Sequence, residues 1–152
     1  MVSEYYQGEE HNKVASQDTA KEISWLHDVL ANAKEQWIFV IGHHPVFSAS
    51  HKHGNTPELI KKFKPLFDKY NVDFYFCGHD HDMQHLRPAG SKVDYIVTGS
   101  GGEVRETAKD ENSIFSLSEP GFTMISIDGK VLTLSFINSK GQVVYTMTKS
   151  KN

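Results

Sequence analysis

Two short apolar runs constrain this chain more than any other feature. Residues 37–41 (WIFVI) are continuously hydrophobic and β-branched-rich, the pattern of a strand buried on both faces, and 72–77 (VDFYFC), apolar but for Asp73, read as a second strand. Between them lies a helical pattern: Thr56 stands as N-cap, Pro57 takes the first helical position, and Leu59, Phe63, Leu66 and Tyr70 recur along one side. Pro65 should kink this helix or end its first part. Strand, helix and strand joined over about 30 residues form a βαβ unit, so the two strands should be parallel and close in one sheet.

Both strands then end at the same edge, where open α/β sheets bind ligands. Gly42-His43-His44-Pro45 follows the first run directly, and Gly78-His79-Asp80-His81 follows the second. The connectivity predicts that these two motifs converge. Of the chain's nine histidines, seven fall between His43 and His85, so the clustering is itself unusual. A lone histidine would read as a satisfied polar side chain; two histidine motifs on adjacent strand ends read as a metal site. In an extended segment, His79 and His81 would lie on one side about 7 Å apart, a span suited to two neighbouring ions. Asp80 should point the other way and act by hydrogen bonding. His44 and His51 are left unassigned, and His11, His27 and His85 read as surface residues, the last in a loop.

The remaining pattern surrounds this centre. Residues 1–18 form a polar lead-in, and 19–152 the folded unit. Thr19 and Glu22 read as a capping box opening a helix over 19–34, with Ile23, Leu26, Leu30 and Ala33 on its apolar face. A third strand is expected at 94–98. After the glycines at 99, 101 and 102, strands at 122–127, 131–137 and 143–147 are joined by Asp128-Gly129 and Ser139-Lys140-Gly141, the turn chemistry of an antiparallel meander.

Composition excludes several classes. A net charge of -3 with mixed signs gives no footprint for nucleic acid. No apolar run approaches the length of a membrane span, and the first residues carry neither a basic nor an apolar leader segment. The single cysteine, Cys77, sits inside an apolar run and reads as a buried, inert thiol.

The segments Gly42-His43-His44-Pro45-Val46-Phe47-Ser48 and Gly78-His79-Asp80-His81 resemble the last two signature motifs of the calcineurin-like metallophosphoesterases, and most of all the small purple acid phosphatases. Residues 25–40, Lys52-His53-Gly54, Lys64-Pro65-Leu66 and Cys77-Gly78 add to the likeness, which extends over 19–104. The resemblance implies a four-layer α/β/β/α sandwich, of which this chain supplies βαβ units and the meander. It further implies a hydrolase acting on phosphate monoesters through a metal-bound hydroxide at a pair of metal ions, iron with zinc, iron or manganese.

Carried over by position, His43 and His79 match ligands of the second metal and His81 a ligand of the first, while His53 matches a catalytic histidine facing the substrate phosphate. Two departures are His44, where a tyrosine is common, and Asp82, where asparagine is usual. A larger departure is that nothing before His43 reads as the family's earlier aspartate and asparagine motifs; Asp18 and Asp28 read as solvated carboxylates on a helix. The resemblance therefore implies the C-terminal half of such an enzyme. Alone, it should bind at most one divalent ion loosely and be inactive or nearly so. Its partners would be a phosphate ester and either a complementary N-terminal half or other copies through exposed strands. A secreted or periplasmic setting follows if the parent resembles those phosphatases. The alternative is a non-catalytic metal-binding or interaction domain that kept the fold.

Overall fold

The computed structural model describes residues 18–151, together with the backbone of two short antiparallel strands that precede them, β1 (Glu4–Tyr6) and β2 (Glu9–His11). Of the expected lead-in at 1–18, residues 1–3, 7–8 and 12–17 lie outside the described residues, as does the side chain of His11.

Helix α1 spans Thr19–Asn32. Its N-cap is Asp18, not Thr19: the carboxylate accepts from the backbone N–H groups of Ala20 and Lys21, serving two of the donors that a helix start leaves without partners. Leu26 and Leu30, one turn apart, are its buried residues. Helix α2 (Pro57–Lys69) runs through Pro65 without ending there. Thr56 holds the cap position by backbone conformation and makes no side-chain cap bond.

Five strands form the main sheet: β3 (Phe39–Ile41), β4 (Phe74–Cys77), β5 (Met83–Leu86), β6 (Asp94–Thr98) and β7 (Ser113–Leu117), in the order β3-β4-β6-β5-β7. As the βαβ argument requires, β3 and β4 are parallel neighbours, with Phe39, Val40 and Ile41 opposite Phe74, Tyr75 and Phe76. Burial on both faces holds for β4 and fails for β3. Among the described residues β3 is the outermost strand, with no strand along its far edge, and Ile41 is 79% exposed. Strands β5 and β7 were not expected, and His85 belongs to β5 rather than to a loop.

The meander forms a second sheet: β8 (Gly121–Asp128), β9 (Val131–Asn138) and β10 (Val143–Ser150), with β9 central. Alternation along β4 and β6 sorts side chains to two faces. Tyr75, Cys77, Tyr95 and Val97 pack against Leu26 and Leu30 of α1 and Leu59 and Phe67 of α2. Phe74, Phe76 and Ile96 face Leu132, Leu134 and Phe136 of β9. The order is thus helices, sheet, sheet, three layers of the expected sandwich. Cys77 is buried with its thiol pushed well up by burial, so it is the inert core residue anticipated.

Polar residues also bridge the sheets. Asp94 of β6 is fully buried and accepts from His85 Nε2 at 2.8 Å, Arg87 Nε at 2.7 Å and Lys149 Nζ of β10 at 2.9 Å, while His85 Nδ1 meets the Tyr145 hydroxyl of β10 at 2.7 Å. His85 is 1% exposed, so its reading as a surface residue is wrong. The partners that bury it come from β6 and β10, remote in sequence.

Candidate metal centre

The two histidine motifs meet as the connectivity predicts. The chain leaves β3 at Gly42, whose N–H donates to Phe76 O at 3.0 Å, and leaves β4 at Gly78, whose N–H donates to His43 O at 3.2 Å. The two exits are stitched by main chain. Position 42 favours glycine, because a Cβ there would overlap the Tyr75 hydroxyl, and that hydroxyl donates to His44 O at 2.7 Å.

His79 breaks the extended geometry expected of a His-x-His segment. Its φ is +62°, and Asp80 N–H donates to Gly78 O at 2.7 Å, closing a tight turn centred on His79. A non-glycine residue in that turn is strained, at a typical cost of about 1–3 kcal/mol. The turn separates the two imidazoles of the motif. His79 Nδ1 comes within 3.2 Å of His43 Nε2, and its ring centroid lies 5.1 Å from that of His43, 4.5 Å from that of His44 and 4.5 Å from that of His53. His81 turns instead toward Glu103, whose Oε2 is 2.9 Å from its Nδ1.

Two groups of potential ligand atoms result, each with all atoms within 4.8 Å: His43, His44 and His79; and His53, His79 and Asp80. His79 belongs to both, and neither contains His81. His44 is therefore the residue that sequence reasoning passed over. Strand-like alternation would send its ring away from that of His43, but in the loop both rings approach His79. His51 is exposed and belongs to neither group.

Beneath the histidines sits a buried acidic layer. Asp80 accepts from the Ser48 hydroxyl, and its other oxygen, Oδ1, is 4.0 Å from His53 Nε2. It is thus both the hydrogen-bonding residue expected and a possible donor beside His53. Burial raises its carboxyl above the usual range, partly offset by Ser48. Asp82 is fully buried and accepts from Gln84 Nε2 through both oxygens, at 2.9 and 2.8 Å. Burial pushes it up to about 6, against the hydrogen bonds from Gln84 and Thr107.

These donors fit a divalent ion. Zinc holds imidazole nitrogens at about 2.0–2.1 Å in a tetrahedron, which sets neighbouring nitrogens about 3.3 Å apart. The His79–His43 separation of 3.2 Å is close to that edge. Imidazole-rich sets suit zinc, copper or iron(II), whereas hard trivalent ions call for carboxylates. Among the described residues, no carboxylate joins the His43–His44–His79 group.

Comparison with known proteins gives the family. Residues 3–83 match the calcineurin-like phosphoesterase family. Tartrate-resistant acid phosphatase type 5 from Oryctolagus cuniculus is 33% identical over 82% of the chain and 41% of its own length; its Homo sapiens counterpart is 34% identical, again over 82% and 41%. Purple acid phosphatase 3 from Arabidopsis thaliana is 32% identical over 82% of the chain and 35% of its own length. The chain thus spans about two fifths of the length of these relatives. Among solved structures, GAP50 of Plasmodium superposes with a TM-score of 0.78 at 27% identity, covering 88% of this chain and 43% of that one. The purple acid phosphatase PPD1 of yellow lupin gives 0.76 at 22% identity, covering 87% and 28%, a likeness of fold alone. On the match to residues 3–83 and identities of a third over four fifths of its length, this chain belongs to the calcineurin-like phosphoesterase family.

Proposed function

We propose that this chain carries the histidine half of a metal-dependent phosphomonoesterase centre, of the acid phosphatase type. The observation that supports this best is the 3.2 Å approach of His79 Nδ1 to His43 Nε2 across two parallel strand ends. A divalent ion held there would supply Lewis acidity toward phosphoryl oxygens and offset charge developing on them. His43 and His79 would hold that ion, and His81, its Nδ1 2.9 Å from Glu103, would serve a neighbouring ion when further ligands are supplied. His53, between Asp80 and His79, faces the phosphate and moves a proton to or from the ester oxygen at its imidazole.

In this reading the isolated chain is inactive or nearly so. No carboxylate joins the His43 group among the described residues, and the relatives are more than twice as long. Its partners are a phosphate ester and a complementary segment that completes the ligand set, lying along the open edge of β3. A secreted or periplasmic setting belongs to the same proposal. The test pairs calorimetric zinc titration with hydrolysis of p-nitrophenyl phosphate by the chain alone. One weak site without turnover is expected; robust turnover would overturn the inactivity, and absence of zinc binding would overturn the site.

A second reading is a non-catalytic binding domain that kept the fold. It draws on the likeness to GAP50, described as an anchor in the inner membrane complex of Plasmodium. Turnover on adding a complementary segment would exclude it.

A further inference from the structure

We propose that His44 is the third protein ligand of a mononuclear site for a zinc-class divalent ion, completed within this chain by His43 and His79. This rests on the reading that His43 and His79 share an ion, and assigns to His44 a role that the family pattern gives to no residue at its position.

Three observations carry it. The His44 ring centroid lies 4.9 Å from that of His43 and 4.5 Å from that of His79, and one nitrogen from each of the three rings falls within a 4.8 Å span. His79 and His43 already stand at the spacing of two ligands in a tetrahedron, so closure asks only that the His44 ring swing inward. The backbone that presents His44 is fixed: its carbonyl accepts from the Tyr75 hydroxyl at 2.7 Å, and the preceding residue is held by Gly78 N–H.

The chemistry of the set selects the ion. Three neutral imidazoles with an open fourth position match a zinc site of the exchangeable kind and disfavour magnesium, calcium and trivalent iron. Each of the three ring centroids lies within 5.1 Å of the other two, and His79 reaches its place from the strained turn at φ +62°, so the turn that strains it also helps to assemble the ligand set.

The test uses the full 152-residue chain. Cobalt(II) is titrated in as a spectroscopic probe, followed by displacement with zinc. The expected result is one equivalent bound, with the intense visible bands of a four-coordinate ion. Replacing a partner outside the ligand set typically costs 10–100-fold in affinity, so loss of a true ligand in His44→Ala should cost about a hundredfold or more and bleach those bands. His44→Tyr, which keeps a ring at the position, gives the same loss should the alanine variant fold poorly. His51→Ala, at an exposed site in the same loop, should bind like the unaltered chain. Unchanged affinity and spectrum in a folded His44 variant, alongside loss in His43→Ala and His79→Ala, would overturn the assignment of His44 and leave the shared ion standing. Failure of the unaltered chain to bind, or binding that survives both His43→Ala and His79→Ala, would overturn the underlying site as well.

Discussion

Asp94 and Lys149 join the two sheets: the β10 ammonium lies 2.9 Å from a fully buried β6 carboxylate oxygen, and His85 and Arg87 approach that carboxylate's other oxygen. Burial alone would raise the carboxyl of Asp94, but the bonds from His85 and Lys149 more than offset this and hold it below the ordinary carboxylate value. A folded-state value below the unfolded one, about 3.9, means stability present above that pH and lost as pH falls through the folded value. Asp94→Asn should cost about 3–5 kcal/mol at neutral pH, the usual penalty for breaking a buried pair. It should also flatten the acid limb of stability below about pH 4. Urea denaturation at pH 3 and pH 7 reads both effects, and an equal cost at the two pH values would contradict the charge assignment.

The contact between Gly42 and Tyr75 predicts coupling. Gly42→Ala alone should destabilise by about 1–3 kcal/mol through overpacking against the Tyr75 ring. Tyr75→Phe removes the bond to His44 O at about 1 kcal/mol. In the double variant the penalties should fall short of their sum, because removing the hydroxyl makes room for the methyl. Additive costs in a thermal-unfolding cycle would count against the clash.

His79 sets function against stability. His79→Ala keeps the left-handed backbone requirement with an ill-suited residue, whereas His79→Gly relieves it. The glycine variant should be more stable than the alanine variant by about 1 kcal/mol. Both should lose zinc binding, measured by calorimetry beside the unfolding curves.

Among the described residues, the β3 edge that no strand covers and the outer strand β8 expose Ile41, Phe122, Met124 and Ile127. Unpaired edges with apolar side chains recruit other chains. Sedimentation should detect concentration-dependent self-association that Ile41→Lys with Met124→Lys reduces; a compact monomer at every concentration would refute this.

Sequence alone gave the parallel pairing of β3 with β4 and the meeting of their histidine loops, because both follow from chain connectivity and continuous apolar runs. It missed β5, whose MQHL segment has no alternation; Gln84 and His85 are buried there because Ala49, Asp94 and Tyr145, on other elements, supply partners beside the local one from Asp82. It misjudged β3, since burial of a strand depends on what lies beside it rather than on its own composition. The ligand position of His44 is not legible in the sequence because strand-like alternation says nothing about ring directions in a loop.

Membership of His79 in both histidine groups has a consequence for stoichiometry. A neutral imidazole offers one lone-pair nitrogen and one N–H, so the ring can ligate an ion on one side only while donating a hydrogen bond on the other. Should the proposed ion load the His43 side, the same ring has only an N–H left for the second group, so the two groups are expected to compete and each folded chain to saturate at a single equivalent.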